Sequence, residues 1–492
     1  MHNDNLKEKN PILNTSYSIR SSNGKFYLSN LNYKGIIFEP YILTREQYEI
    51  IRKLDGTKNL KSIIKKFKYP WKANLFLSEL KKIKALRYSN KIRKFPLPFK
   101  KQGIFDVQFE FENKCNFNCM HCYQDKYLHI KKRDKLNLEH IKVLAANLEK
   151  LNAVKIALSG GEPFIGGDLK EICDIFKNRG IKPDCIFTNG LLINKKDIDW
   201  LSKESIHVFV SLDGITPNSH GIIRGVPIKD RKKVFNKIIR NVKELVHRGV
   251  IVKINTSLHR YNLNELDKMY SELKKIGVYV WRMTLPKLVG RYTENKNELY
   301  ADKTKLSKSL VNLLKLFLKD VKKVKDGISV PIDLRIANVF KTEMLTKKML
   351  KYSKNDSACD YQKERITIKS NGDVVPCGLL INHVYGNIKK EDLTKIWLKE
   401  DLQKIKNIPI KKILDCEECK YAYLCGGGCR VNSLYDYGDL FHKDKHACDC
   451  MKILFGPIKK LLENNGFKLK TTTNLNKKNH NKVYINNTSY SF

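Results

Sequence analysis

The chain has 492 residues, with 94 Lys plus Arg against 51 Asp plus Glu and a formal net charge of +43. A hydrophobic content of 42% over that length is ordinary for a globular protein of two to four domains. No run approaches the roughly 18–20 apolar residues of a membrane span, and MHNDNLKEKN lacks an apolar signal core, so a cytoplasmic location is expected. In that setting 13 cysteines argue for metal ligation and against a disulfide framework. The lysines are scattered along the chain, so the charge carries little functional weight.

Residues 1–22 are polar and read as a flexible N-terminus. Over 23–98, apolar alternation in KFYLSNLNYKGIIFEP suggests two or three strands, and LTREQYEIIRKL has helical spacing. Asp55-Gly56 marks a turn, and Asn59 is placed to cap a second helix with Leu60, Ile63 and Ile64 on one face. A third helix is expected over 71–86. Strands followed by three short helices make a winged-helix-like pattern, which fits nucleic-acid binding or plain packing. The phrase LDGTKNLKSI also resembles the precursor-recognition domain of peptide-modifying enzymes, in which a leader peptide adds a strand to the sheet edge. Leader binding is the preferred reading and nucleic acid the least favoured. The stretch Lys91 to Gly103, with Pro96 and Pro98, reads as a linker.

Over 104–290, strand-like and helix-like stretches alternate six times, the strands being DVQFEFE, VKIALSGG, DCIFTNG, HVFVSLDG, VIVKINTSL and VYVWRMTLP. Repeated βα units imply a parallel sheet with right-handed crossovers. The expected fold class is α/β, a partial (β/α)6 TIM-like barrel with chemistry at the C-terminal strand ends. Residues 291–357 read as a helical bridge without a motif. Its LVNLLKLFL run is short and amphipathic, a core face and not an anchor.

The first strand runs into FENKCNFNCMHCY, where Cys115, Cys119 and Cys122 lie three and then two residues apart. Three thiolates from one loop can hold a zinc ion with a fourth ligand elsewhere, or three irons of a cubane cluster whose fourth iron stays open. CxxxCxxC after a first strand resembles the cluster loop of radical S-adenosylmethionine (SAM) enzymes. Under that resemblance Gly160, Gly161, Glu162 and Pro163 match the element that holds the methionine amino group of SAM. The glycines would allow close backbone approach and the carboxylate would accept hydrogen bonds from an ammonium. It further implies that His121 and Tyr123 lie with the SAM contacts, His121 near adenine. Asn189, Ser211, Asp213, Arg224 in HGIIRG, and Asn255 are the remaining candidates for SAM.

A second array begins at Cys359 and continues through Gly372, Cys377, Cys416, Cys419, Cys425, Cys429 and Cys448. Seven cysteines exceed one tetrahedral ion, so two centres are implied, with zinc as the structural alternative. The array fits the seven-cysteine signature of the SPASM extension, which binds two auxiliary [4Fe–4S] clusters. By that resemblance Cys416, Cys419, Cys425 and Cys448 hold the outer cluster and Cys359, Cys377 and Cys429 the inner one. No cysteine lies between Cys185 and Cys359 to complete the inner set. Cys450 is unassigned, and Cys173 and Cys185 read as buried apolar residues. The SPASM region is expected over 358–455, with a C-terminal helix and disordered tail over 456–492.

Taken together, the chain resembles radical SAM/SPASM maturases of ribosomally made peptides. The resemblance implies three [4Fe–4S] clusters, SAM, a precursor peptide bound through its leader, and a one-electron reductant such as flavodoxin or ferredoxin. Thioether formation from a peptide cysteine is the leading product. Alternatives are a carbon–carbon crosslink, oxidation, sulfatase-type maturation, a cofactor-biosynthesis step, or a non-enzymatic iron–sulfur winged-helix regulator.

Overall fold

The computed structural model describes residues 10–14, 16–22, 25–31, 41–67, 69–89, 91–93, 95, 103–128, 131, 134–325, 332–336, 339–341, 355–359, 364–471 and 483–486. An N-terminal unit contains β1 (Asn10–Leu13), β2 (Tyr17–Ser22), β3 (Lys25–Asn30), β4 (Tyr41–Leu43), α1 (Arg45–Arg52), α2 (Leu60–Ile64), α3 (Pro70–Lys82) and β5 (Leu86–Ser89). β1 pairs antiparallel with β5, and β2, β3 and β4 form an antiparallel sheet in that order. Thr44 and Asn59 cap α1 and α2 through side-chain oxygens.

Two expectations change here. Residues 10–22 are not a flexible end: Leu13, Tyr17 and Ile19 are buried, and both strands are paired. The third helix stops at Lys82, because Lys84 takes a positive φ of 58° and turns the chain into β5.

The barrel follows as β6 (Asp106–Glu112), α4 (Asp125–Leu128), α5 (Leu138–Lys150), β7 (Lys155–Gly160), α6 (Leu169–Asn178), β8 (Lys182–Thr188), α7 (Lys195–Glu204), β9 (His207–Ser211), α8 (Pro217–Ile223), α9 (Ile228–His247), β10 (Val252–Ser257), α10 (Leu266–Ile276) and β11 (Val280–Thr284). The six strands lie side by side in chain order and are all parallel. Their near-continuous burial is what a parallel sheet covered by helices requires.

The chain continues with α11 (Tyr292–Leu299), α12 (Lys303–Lys325), β12 (Asp333–Ile336), β13 (Phe340–Lys341), β14 (Arg365–Lys369), β15 (Asp373–Val375), β16 (Gly386–Asn387), α13 (Leu393–Trp397), α14 (Glu400–Lys406), α15 (Ala422–Cys425), α16 (Arg430–Tyr437), α17 (Lys445–Asn464), β17 (Lys468–Thr471) and β18 (Val483–Asn486). The parallel run extends beyond the six expected strands, since β12 adds to β11 and β14 adds to β6. Each newcomer satisfies a backbone edge that a six-stranded open barrel would leave unpaired. The bridge is therefore not wholly helical. α17 crosses the expected boundary at 455/456, and β17 pairs with β18 within the expected tail; residues 472–482 and 487–492 of that tail lie outside the described residues. No helix among the described residues is long and apolar enough to cross a membrane.

The N-terminal unit docks beneath the barrel. The Arg20 guanidinium, 2% exposed, donates to Ala153 O at 2.9 Å and Arg179 O at 2.6 Å, and Lys182 Nζ donates to Leu31 O at 3.1 Å. Ala153 and Lys182 stand at the starts of β7 and β8, the end opposite the strands' C-terminal edge.

Candidate active site at the C-terminal edge of the barrel

The motif residues of the barrel gather at the C-terminal ends of the strands, with Asn255 inside β10 and Arg224 reaching in from the end of α8. The cysteine loop leaves β6 and is clamped from three sides. From β7, Gly161 N donates to Glu112 O and Glu162 N to Lys114 O, both at 2.7 Å. A Cβ at Gly161 would lie 2.1 Å from Lys114 O, and one at Gly160, whose φ is +137°, would lie 2.2 Å from Glu112 O. The two glycines thus admit the cysteine loop itself, a nearer reason for them than the approach of a ligand. From the end of α8, Met120 N donates to Ile223 O, and Gly225 at φ +65° packs against Asn118. From the other side, Gly290 packs on Cys122 O, while Arg291 bonds Cys122 O through its backbone, Asn118 through its guanidinium and Asp125 at 2.9 Å.

Burial pushes the Cys115 and Cys122 thiols up to about 11 and raises Cys119 as well. They are protonated until something ligates them. Arg224 Nη1 stands 3.7 Å from Cys119 Sγ, and its Nε pairs with Asp213 at 2.6 Å. Burial opposes both charges, yet the pairing wins: Asp213 is held down at about 2 and Arg224 is raised. Asp213 also accepts from Ser257 N at 2.7 Å, so it ties β9 to β10 while aiming Arg224 at the cysteine loop.

Glu162 is fully buried. Its Oε1 accepts from Thr188 Oγ1 at 2.7 Å and Phe164 N at 3.2 Å, and its Oε2 accepts from Asn189 N at 2.7 Å. Three donors leave capacity for one more. Burial nonetheless pushes the carboxyl up to about 7. Pro163 begins a short 3-10 turn behind it. Asn189 reaches the cysteine loop through Asn116 at 2.7 Å. Ser211 ends β9 in register with Asn255, whose Oδ1 is buried without a partner, as is His121 Nδ1. Burial pulls His121 down to about 4, so the ring is neutral.

Tyr123 points elsewhere: its Oη donates to Glu110 Oε1 at 3.1 Å, and Glu110 forms a fully buried ion pair with Lys369. Lys369 Nζ in turn donates to Gly378 O at 3.0 Å, next to Cys377. The catalytic loop and the second cysteine array are therefore joined through one buried polar chain.

In that array, Cys416, Cys419, Cys425 and Cys448 are one another's electrostatic neighbours, and Cys377 neighbours Cys429. Asp444 caps α17, which carries Cys448, and accepts from Cys429 N at 2.8 Å, linking the two groups. Cys450 is buried with Met451 and Leu454 beside a cavity of about 30 Å³ that Lys287 and His446 also line. Cys173 and Cys185 are buried in the barrel.

Residues the sequence did not single out are His259, fully buried beside Asp213 and pulled down to about 4 by burial, together with Arg291, Glu110, Lys369 and Lys406. His259 follows the fifth strand by two residues, a position at the motif edge that was available as a signal. The cations carried none in a chain this basic.

Comparison with known proteins agrees with this geometry. Residues 109–273 match the Radical SAM superfamily and residues 359–420 the SPASM iron–sulfur cluster-binding domain. Fe-coproporphyrin III synthase of Methanosarcina barkeri is 24% identical over 76% of this chain and 96% of its own length. The antilisterial bacteriocin subtilosin biosynthesis protein AlbA of Bacillus subtilis is 24% identical over 49% of this chain and 55% of its own. Among solved structures, Streptococcus suis SuiB bound to precursor peptide SuiA has a TM-score of 0.62 at 16% identity, covering 89% of this chain and 99% of that one. anSMEcpe with bound AdoMet has 0.59 at 18%, covering 74% and 99%. The residues fit the groups these domains hold: three thiols on one clamped loop, Cys119 buried and Cys115 and Cys122 partly so, a carboxylate with spare acceptor capacity, and the orphaned buried atoms of His121 and Asn255 beside them. The chain is a radical SAM enzyme with a SPASM domain, using SAM and [4Fe–4S] clusters.

Proposed function

We propose that this enzyme modifies a ribosomally made precursor peptide, held through its leader, and joins a peptide cysteine to a carbon as a thioether. The thiol count at the inner auxiliary site carries the reading. Of 13 cysteines, three belong to the catalytic loop and four to the outer group, while Cys173, Cys185 and Cys450 are buried elsewhere. Cys359, Cys377 and Cys429 remain, and three thiolates leave one iron of a cubane for a thiolate from the substrate. The likeness to SuiB, solved with its precursor peptide, and to AlbA supports a peptide substrate.

When bound and reduced, the catalytic cluster and SAM supply a 5′-deoxyadenosyl radical able to take a hydrogen atom from a peptide carbon. The chain's own residues do the positioning. Glu162 offers its remaining lone pair to the SAM ammonium, and Asp213 aims Arg224. The leader is assigned to β4, an edge strand paired on one side only among the described residues. Ile42 on β4 is 74% exposed, and Trp71 and Leu75 are exposed on α3. A flavodoxin or ferredoxin would be the electron donor.

The likeness to a porphyrin synthase favours one second reading, a step on a small cofactor precursor. One experiment separates the two. The anaerobically reconstituted enzyme, about twelve irons for three cubanes, is reduced with SAM, and 5′-deoxyadenosine is compared with that from the Cys115→Ala/Cys119→Ala/Cys122→Ala variant. It is also co-expressed with a short cysteine-bearing peptide. We expect 5′-deoxyadenosine from the wild type alone and a peptide two hydrogens lighter whose cysteine no longer alkylates. A modified peptide with a free thiol would replace the thioether by another peptide change, and formation of Fe-coproporphyrin III with the peptide untouched would establish the second reading.

A further inference from the structure

Three buried cations stand around the inner cysteines, and they differ in how their charge is balanced. Lys369 is neutralised by Glu110. Arg430, 1% exposed, donates to the carbonyls of Gly427, Leu440 and His442 and has Asp444 among its electrostatic neighbours. Lys406, at the end of α14, is fully buried. Its ammonium donates to Arg365 O and lies 4.9 Å from the Trp397 ring centroid. No carboxylate among the described residues pairs with it. The Ser357 hydroxyl bridges Lys406 O at 3.3 Å and Cys359 O at 3.4 Å, so the segment that carries Cys359 lies against this end of α14. Burial pulls the ammonium down to about 7, opposed by Cys377 and Cys359 and reinforced by the like charge of Arg365.

An ammonium buried without a counter-ion is strongly unfavourable. The groups near Lys406 that can carry negative charge are two thiols, and these are anions when they serve as ligands. Charge balance in this pocket therefore closes with a thiolate-bound cluster in place. The outer group has charges of both signs around it: Asp415 and Asp444 lie among its neighbours together with Arg430, Lys443 and Lys452, and Lys443 is already paired with Asp415 at 3.1 Å.

We propose that Lys406 is the counter-charge of the inner auxiliary cluster and raises that cluster's reduction potential. Adding one electron adds one negative charge, which a buried cation stabilises. Lys406 touches no reacting atom and acts through the cluster's charge. The inner site is thereby fitted to receive the electron released when the substrate radical closes its new bond.

This rests on Cys359, Cys377 and Cys429 holding one cluster, which is tested separately. In the anaerobically reconstituted holoenzyme, Cys377→Ala identifies the inner signal in an EPR-monitored redox titration by its loss. Lys406→Met is expected to retain wild-type iron and to move the inner midpoint to lower potential, with the outer midpoint unchanged. Lys406→Arg should restore the wild-type value, and Lys404→Met, on the exposed face of the same helix, should leave both midpoints in place. An unchanged inner midpoint in an iron-replete Lys406→Met protein overturns the proposal. If that variant does not fold, Lys406→Gln, which retains a donor for Arg365 O without the charge, is judged by the same criterion. Full auxiliary iron in Cys377→Ala would overturn the ligand assignment instead.

Discussion

A carboxyl pushed up to about 7 would make Glu162 a proton-coupled part of the proposed SAM site. Its pKa rises from about 4.5 in the unfolded chain to about 7 in the fold, so between those values the folded state binds the extra proton. Stability from this group is greatest below about pH 4.5 and falls as pH rises to 7, by up to about 3 kcal/mol. An ammonium placed on the free lone pair favours the carboxylate, so binding SAM expels that proton. SAM affinity should then rise with pH up to about 7, approaching tenfold per unit below it, and level off above. Glu162→Gln should bind more weakly and with a flat profile. Equilibrium dialysis of the cluster-loaded enzyme from pH 6 to 8 measures this, and a flat wild-type profile would remove Glu162 from ammonium recognition. At this scale the sequence was informative where chemistry is packed into a short motif, as with Cys115 to Cys122 or Gly160 to Pro163. It was silent on Lys406 and Arg291, because among 94 basic residues only burial and long-range contacts single them out.

Between elements, the cysteine loop owes its shape to its neighbours. Gly225 shows how strictly. Its φ of +65° disfavours any side chain, and a Cβ there would lie 2.3 Å from Asn118 O. Gly225→Ala should cost roughly 2–4 kcal/mol from the left-handed backbone and the overlap together. The strain falls on Asn118, next to Cys119. The expected result is loss of catalytic-cluster iron and of 5′-deoxyadenosine with the auxiliary iron kept. Gly249→Ala is the control, since that glycine has a similar φ of +74° and nothing within 4 Å. Equal iron loss in the two variants would show that backbone strain alone matters and that the clamp does not. The six barrel strands were legible because short apolar runs and apolar alternation recur between helical patterns. β14 was not, because Arg365 pairs with Asp106 across most of the barrel sequence and no local period records such a contact. β2 was hidden for another reason: Ser18, Arg20 and Ser21 are buried polar residues, and Arg20 and Ser21 bond Ala153, Arg179 and Asn152 of the barrel, so a strand reads as a polar tail.

The whole molecule separates the two places that a leader-bound peptide, as proposed, would have to visit. Arg20 and Lys182 fix the N-terminal unit at the starts of β7 and β8, whereas the cysteine loop and Glu162 lie at the strands' other ends. Strands of six and seven residues span about 20 Å. The barrel interior is packed with side chains, so a peptide anchored on β4 has to travel outside it. At about 3.3–3.6 Å per residue, the height alone takes roughly six residues. A precursor whose modified cysteine follows the leader motif by fewer than about six residues should therefore bind with unchanged affinity yet emerge unmodified, and lengthening the spacer with Gly-Ser should restore the product. Fluorescence anisotropy and mass spectrometry on one spacer series read the two quantities independently. Full modification at a spacer of two or three residues would mean that the leader is held near the barrel mouth, and would transfer leader recognition from β4 to the active-site face.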